Sequence, residues 1–283
     1  MIIWIASYPK SGNTWIRSLL SAYLYSEDGN FNFNLLKNIL KFPSKKYLKY
    51  FTKDFSDIKK VSEYWIASQE RINLQNENKS IFLKTHSALC TLEKNPFTNK
   101  KNTQAVIYIV RDPRNVITSI GNHYSLNIEE SYNFMIDNNR ILTGDKWGGD
   151  NFGISEVLGS WSKHYKSWKN IKFAPILNVK YEDLINDTEK SLFQIINFLN
   201  KFTEIKIDNK KISKTVESCS FENLRKMEKN EGFIEAAHSE KLNKKIDFFH
   251  LGEKNNWKNL LNQEMEKKIR ETFHDAMREL KYI

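Results

Sequence analysis

Cysteine and long apolar runs are both scarce in this chain. Among its 283 residues only Cys90 and Cys219 carry thiols, and no Cys-x-x-Cys spacing occurs. Two free thiols predict a reducing compartment, the cytoplasm, rather than a disulfide-stapled secreted fold. No apolar run approaches the roughly 20 residues that a membrane-spanning helix requires. With 40% hydrophobic residues and no repeat or low-complexity linker, the sequence predicts one globular domain over residues 1–283.

Acidic residues are outnumbered by basic ones. The chain has 44 lysines and arginines against 34 aspartates and glutamates, a net charge of +10. The lysines occur in scattered pairs rather than in one basic stripe with interleaved aromatics. This pattern indicates a solvated surface and no nucleic-acid partner, with part of the excess charge lining a site for an anionic nucleotide. Residues 1–4 also lack the basic segment of a secretory leader, so we expect none.

Short apolar segments alternate with helical patterns along the chain. Four of these segments predict buried strands: residues 2–6, 81–83, 105–110 and 176–179. A helical pattern at residues 192–199 follows a capping candidate, Asp187, and a helical stripe covers residues 265–280. The sequence therefore predicts an α/β fold with a central parallel sheet flanked by helices, and ligands at the carboxyl ends of its strands.

The most informative segment joins the first predicted strand to a helix. The strand is followed by the loop sequence Ser-Tyr-Pro-Lys-Ser-Gly-Asn-Thr-Trp at residues 7–15. Such a loop presents free backbone N–H groups and the positive end of a helix dipole, and Lys10 adds a full charge. The lysine precedes Gly12, so this is not a Walker A motif, and the glycine stands alone, so it is not a dinucleotide fingerprint. The loop predicts a P-loop-like cradle for a phosphate or a sulfate.

Two further polar motifs end the second and third apolar segments. The second segment leads into Lys84, Thr85 and His86. A histidine at a ligand-binding strand end suits general-base catalysis, because its ordinary pKa lies near operating pH. The third segment leads into Arg111, which can hold a phosphate through two parallel hydrogen bonds. Ser119 lies eight residues further along the chain.

These three motifs resemble the donor site of the cytosolic-type sulfotransferases. The resemblance rests on Tyr-Pro-Lys-Ser-Gly-x-Thr-Trp at residues 8–15, on Lys-Thr-His at residues 84–86 and on the motif that begins at Arg111. It extends from residue 3 to about residue 282. It implies that 3′-phosphoadenosine 5′-phosphosulfate (PAPS) is the sulfuryl donor and that 3′,5′-ADP (PAP) is the product.

The resemblance implies a role for each of these residues. His86 takes the proton from the acceptor hydroxyl, and Lys10 neutralises charge on the leaving phosphate oxygen. Lys84 holds the sulfonate and the 5′-phosphate together with the amides of four loop residues, Ser11, Gly12, Asn13 and Thr14. Arg111 and Ser119 bind the 3′-phosphate.

The resemblance also implies an aromatic site for the adenine. Trp15 and Phe221 stack on its two faces, which is a sound arrangement for a flat base, and Tyr181 lies nearby. Cys219 stands where the family usually has a threonine that hydrogen-bonds the base.

The chain departs from the family pattern near its C-terminus. Phe-x-Arg-Lys-Gly is replaced by Phe-Phe-His-Leu-Gly at residues 248–252. His250 and Gly252 are the donor-binding candidates that are left there. Either donor affinity is lower than in the family, or a nearby cation such as Lys254 compensates. The family's dimer motif is not recognisable, so a homodimer stays an open alternative.

The resemblance implies sulfuryl transfer to a hydroxyl of a small molecule, with no metal. Two alternatives stay open: a nucleotide-dependent phosphotransferase, and a non-catalytic protein that binds nucleotides or polyanions. The missing Walker A motif and carboxylate–Mg²⁺ pattern count against the first. The altered segment at residues 248–252 keeps the second open.

Three poorly patterned segments, residues 27–62, 125–158 and 228–256, are expected to form lids and substrate walls. Four glycines in the second predict a flexible loop over a pocket: Gly144, Gly148, Gly149 and Gly153. Aromatic residues of these segments are equally compatible with ordinary packing and with an apolar or aromatic alcohol as acceptor: Phe31, Phe33, Tyr124, Tyr132, Phe134, Trp147 and Phe152.

Overall fold

Five parallel strands form the central sheet. The computed structural model describes residues 1–77, 79–143, 154–239 and 244–283. The strands in these residues are β1 (Ile2–Ser7), β2 (Leu40–Lys41), β3 (Ile81–Thr85), β4 (Thr91–Leu92), β5 (Asn95–Pro96), β6 (Thr103–Val110), β7 (Ile141–Leu142), β8 (Glu156–Val157), β9 (Ile176–Lys180), β10 (His238–Ser239) and β11 (Lys244–Lys245). The sheet has the order β2-β3-β1-β6-β9, and its pairings are all parallel. The short strands that are left form three antiparallel pairs.

The same part of the chain forms fourteen α-helices, all of them between two strands of the sheet or after the last one. They are α1 (Asn13–Tyr25), α2 (Lys45–Leu48), α3 (Ile58–Ser62), α4 (Trp65–Gln75), α5 (Pro113–Tyr124), α6 (Ile128–Ile136), α7 (Trp161–Lys169), α8 (Tyr181–Asn186), α9 (Thr188–Asn200), α10 (Asn209–Ser218), α11 (Phe221–Glu231), α12 (Trp257–Leu260), α13 (Gln263–Thr272) and α14 (His274–Glu279). Each is too short or too polar to cross a lipid bilayer.

Apolar residues cover both faces of the sheet. All of β1 is buried, and its side chains alternate between two clusters. Trp4 packs in one cluster with residues of α5, α7, α13 and α14, whereas Ile5 packs in the other with residues of α1 and α9. Helices on each face therefore explain why the strand is apolar throughout.

The predicted α/β class is confirmed, and each of the four predicted strands lies in the sheet. The predicted helix after Asp187 is α9, and the Asp187 carboxylate accepts a hydrogen bond from the Lys190 amide. The sequence missed β2, because two residues are too few to show a strand pattern. The C-terminal stripe is divided into α13 and α14 by Phe273.

The topology brings the three polar motifs to one edge of the sheet. β1 lies between β3 and β6 and runs parallel to both. The loop that begins at Tyr8 leaves β1, His86 follows β3, and Arg111 follows β6. Since the carboxyl ends of parallel strands lie at the same edge, the loop, the imidazole and the guanidinium are neighbours.

Candidate active site

A cavity of about 920 Å³ lies at this carboxyl edge. Its walls include all but two of the residues predicted for the donor site: Lys10, Gly12, Asn13, Thr14, Trp15, Lys84, His86, Arg111, Ser119, Tyr181, Phe221, His250 and Gly252. Ser11 and Cys219 are fully buried and do not line it. Among the described residues, no three His, Cys, Asp or Glu side chains cluster as metal ligands. The four glycines of the expected flexible loop, together with Trp147 and Phe152, lie outside the described residues.

The loop after β1 has the geometry of an anion cradle. Lys10 and Gly12 have left-handed backbone conformations, with φ of 63° and 105°. A Cβ on Gly12 would lie 2.5 Å from Cδ2 of Tyr181, so only glycine allows this close approach. The side-chain amide of Asn13 turns back and donates to the carbonyl oxygen of Ile5 at 3.0 Å. No described side chain caps the first amides of α1, which are therefore available to an anion.

The Lys10 ammonium is enclosed at the edge of this cradle. Its Nζ lies 3.8 Å from the centroid of the Phe248 ring. Burial, with Arg111 as a neighbouring cation, lowers the pKa of Lys10 to about 7. At neutral pH this lysine is only partly charged, and an anion bound beside it would favour the charged form.

Lys84 is paired with a carboxylate that sequence reasoning missed. Glu235 Oε1 accepts from Lys84 Nζ at 2.9 Å and from an Arg17 guanidinium nitrogen at 2.6 Å. Its Oε2 accepts from Thr14 Oγ1 at 3.1 Å. Burial lowers the pKa of Lys84 to about 8 despite this partner. Burial alone would raise the pKa of Glu235, but Lys84 and Arg17 hold it well below its ordinary value.

The His86 ring is fixed in one tautomer. Its Nδ1 lies 2.8 Å from the carbonyl oxygen of Ser7, which can only accept, so Nδ1 carries the proton. Nε2 therefore keeps its lone pair, and the imidazole lines the cavity. Burial, and then the charge of Lys84, lowers the pKa of His86 to about 4. At neutral pH the ring is an uncharged base.

Two buried side chains hold the backbone of His86 in place. Glu156 Oε1 accepts the His86 amide at 2.8 Å, and its Oε2 pairs with Lys41 Nζ at 2.6 Å. His164, on α7, donates from Nε2 to the His86 carbonyl oxygen at 3.1 Å, while its Nδ1 accepts from the Tyr108 hydroxyl at 2.9 Å. The position of the base is therefore set by β8 and by α7.

A second anion-binding point forms at the start of α5. One guanidinium nitrogen of Arg111 donates to the Lys10 carbonyl oxygen at 3.1 Å and to Ser119 Oγ at 3.3 Å. The guanidinium also lies 4.1 Å from the centroid of the Tyr181 ring. Ser119 Oγ accepts from Asn255 Nδ2 at 2.7 Å. Asn255 also lines the cavity and was missed, whereas Lys254, named as a compensating cation, does not line it.

Aromatic rings and one glycine form an apolar wall beyond these points. Trp15 and Tyr181 meet edge to face with their centroids 5.8 Å apart. A Cβ on Gly252 would lie 2.6 Å from the Phe221 ring, so the chain can pass this close only as glycine. Cys219 accepts from Trp15 Nε1 through its carbonyl oxygen at 2.9 Å. Its thiol packs in the core instead, and burial raises the pKa of that thiol to about 12.

His250 is the exposed member of this wall. It lines the cavity but lies largely in solvent, unlike the buried Arg111. The cavity also contains a third imidazole, that of His123, which sequence reasoning missed; the centroid of its ring lies 5.9 Å from that of Phe248. Neither residue follows a sheet strand directly, so strand-end motifs could not have identified His123.

Comparison with known proteins identifies the family. The family model described as "Sulfotransferase domain" matches residues 2–281, so the chain belongs to the sulfotransferase domain family. Cytosolic sulfotransferase 13 of Arabidopsis thaliana is 27% identical over 94% of this chain and 75% of that protein. Flavonol 3-sulfotransferase of Flaveria bidentis is 25% identical over 94% of this chain and 78% of that protein.

Solved structures show the same fold. A mouse sulfotransferase complexed with PAP aligns with a TM-score of 0.59 at 22% identity, over 98% of this chain and 84% of that chain. Retinol dehydratase in complex with androsterone and the inactive cofactor PAP aligns with a TM-score of 0.60 at 17% identity, over 98% and 80% of the two chains. The predicted sulfotransferase-like fold is confirmed.

Replacing Glu156 by Gln should lower the free energy of unfolding by about 3 kcal/mol, because it leaves Lys41, whose side chain is 12% exposed, without its counter-charge. Urea denaturation measures this change. The matched control is Glu93→Gln, since Glu93 pairs with Lys59 at an exposed site and should cost less than about 1 kcal/mol. Equal effects of the two substitutions would contradict the assignment of Glu156 as a structural counter-charge.

Proposed function

We propose that the protein transfers a sulfuryl group from PAPS to a hydroxyl of a small-molecule acceptor, giving a sulfate ester and PAP. One observation carries the proposal: the uncharged His86 lines the same cavity as two separate anion-binding points, at the start of α1 and at Arg111. A donor with phosphates on its 5′ and 3′ sides needs two such points, and an acceptor hydroxyl needs a base beside one of them. Membership of the sulfotransferase domain family supports the same conclusion.

Buried polar atoms near the two points support a bound polyanion. Ser11 Oγ and Arg111 Nε are buried donors with no hydrogen-bond partner within the described residues. Buried polar groups are normally satisfied, so unpaired atoms grouped at a cradle indicate where a ligand completes the bonding. A hydroxyl and a guanidinium N–H can both donate hydrogen bonds, which suits phosphate and sulfonate oxygens.

In the proposed reaction each residue acts on charge or on a proton. His86 Nε2 accepts the proton of the acceptor hydroxyl. The oxygen of that hydroxyl bonds to sulfur while the bond from sulfur to the 5′-phosphate oxygen breaks. Lys10 stabilises the negative charge that develops on that phosphate oxygen, and Lys84 binds the sulfonate. Arg111 and Ser119 hold the 3′-phosphate. By analogy with phosphoryl transfer, positioning and charge stabilisation supply most of the acceleration.

We further propose an acceptor with an apolar body and a cytoplasmic site of action. Relatives include a flavonol 3-sulfotransferase and proteins named cytosolic sulfotransferases, which supports both statements. Tyr124, Leu126 and Leu142 contribute apolar surface to the cavity. The family match over residues 2–281 also supports a single domain.

Calorimetric titration with PAP, in parallel with 5′-AMP and ATP, tests the donor assignment. We expect selective binding of PAP, and Arg111→Ala should weaken it by about 1.5–3 kcal/mol, because a charged hydrogen-bonding group is lost from the 3′-phosphate. Arg270→Ala, which removes an exposed guanidinium on α13, is the control and should leave PAP binding unchanged. Equal affinity for all three nucleotides would favour a phosphotransferase or a non-catalytic binding protein.

Replacing His86 by Ala should reduce kcat roughly 10²-fold or more, the usual contribution of a general base. PAP affinity should change little, since the imidazole acts on the acceptor. Steady-state rates of sulfuryl transfer from PAPS to an acceptor measure kcat, and PAP calorimetry measures nucleotide affinity, so the two effects are separated. His274→Ala changes an exposed histidine and should keep full activity. Near-normal turnover of the His86 variant would refute the base and favour a binding role.

The pH profile of kcat/KM for PAPS should be bell-shaped, since this constant reports groups of the free enzyme. His86 must be neutral, and its pKa of about 4 places the acid limb far below pH 6. Lys10 must be charged, and it loses its proton as pH rises through about 7. In Lys10→Arg, the guanidinium stays charged, so the alkaline limb should move towards the pKa of Lys84, about 8. An unshifted alkaline limb would exclude Lys10 as its source.

A further inference from the structure

The carboxylate of Glu235 is buried against three hydrogen-bond donors beside the proposed sulfonate site. Its carboxylate accepts from Lys84, Arg17 and Thr14, at 2.9, 2.6 and 3.1 Å. The side chain of Glu235 is only 9% exposed, and that of Arg17 is 5% exposed. Glu235, Lys84 and Thr14 line the cavity, whereas Arg17 lies behind the carboxylate and does not.

This arrangement matches the hydrogen-bond pattern of a sulfonate. A carboxylate and one face of a sulfonate both present oxygens to cationic and hydroxyl donors. Arg17 lies on α1 one turn beyond Asn13, so its guanidinium extends the cradle formed by the start of that helix. A donor held at the cradle would bring its own negative charges beside Glu235. The two anions would compete for the same hydrogen-bond donors and repel each other.

We infer that Arg17, Lys84 and Thr14 together bind the sulfonate of the donor, and that the carboxylate of Glu235 occupies this subsite until the donor displaces it. This inference rests on the proposed function. Arg17 thereby becomes a donor-binding residue, and Glu235 becomes a residue that sets donor affinity. The exchange replaces one anion by another, so neither Arg17 nor Lys84 is left buried without a counter-charge.

The segment that carries Glu235 can release the carboxylate without unfolding. Phe233 anchors this segment by packing against Phe33, Phe248 and Phe249. Glu235 itself follows Ile234, which is 69% exposed. In the inferred exchange the Glu235 side chain moves while the Phe233 anchor stays in place.

Calorimetry with PAPS and with PAP, in the absence of an acceptor, tests the inference. Glu235→Gln should bind PAPS about tenfold tighter than the parent protein, because the competing charge is gone, and the gain for PAP should be smaller, because PAP has no sulfonate. Glu231→Gln makes the same chemical change at an exposed position and should alter neither affinity. A Glu235 variant that binds PAPS no tighter than the parent overturns the competition.

A second pair of variants separates donor binding by Arg17 from mere charge balance. The double variant Glu235→Gln/Arg17→Met removes one charge of each sign, so the buried cluster with Lys84 keeps the net charge that it has in the parent protein. If Arg17 binds the sulfonate, this double variant should lose most of the PAPS gain seen in Glu235→Gln. If Arg17 serves only to neutralise Glu235, the double variant should bind PAPS as tightly as Glu235→Gln, and the role of Arg17 is refuted. Failure of the parent protein to bind PAP would instead count against the proposed function.

Discussion

The constraint on which the site depends is the burial of several cations at one edge of the sheet. Lys10, Lys84, Arg17 and Arg111 lie within or behind one cavity, and burial together with the neighbouring cations lowers the pKa of both lysines. Glu235 relieves part of this cost. A polyanionic donor would relieve the rest. Neutralising the clustered cations would therefore contribute favourably to the free energy of donor binding. Burial, with the charge of Lys84, also lowers the pKa of His86, so the imidazole is unprotonated at neutral pH and free to accept a proton.

The sequence was sufficient for the parts of the site that follow strands directly. Lys10, His86 and Arg111 each belong to a motif that a buried strand precedes, and the parallel topology brings such motifs to one edge. These positions could be predicted without knowing any long-range contact. The apolar pattern identifies each strand, and the carboxyl ends of parallel strands lie at the same edge of the sheet. The cap at Asp187 was predictable for a similar reason, since its partner, Lys190, is three residues away.

The remaining groups depend on contacts that a local pattern does not encode. Thr14 and Glu235 are 221 positions apart in the chain, and Ser119 and Asn255 are 136 apart. Both distant partners lie in irregular segments, where neither helical nor strand periodicity identifies the inward-facing side chain. Cys219 shows a subtler limit: its position beside Trp15 was foreseeable, but whether its carbonyl or its thiol would face the ring was not.

The hydrogen bond from His164 to the carbonyl oxygen of His86 gives His86 a support that is separate from the groups facing the nucleotide. His164 lies on α7 and does not line the cavity, yet it supports the peptide group that carries the base. The nucleotide-facing groups, by contrast, are positioned by α1 and α5. In the proposed mechanism, sequence change on the buried face of α7 would therefore alter the rate of the chemical step and leave nucleotide recognition unchanged, so the two properties could evolve separately.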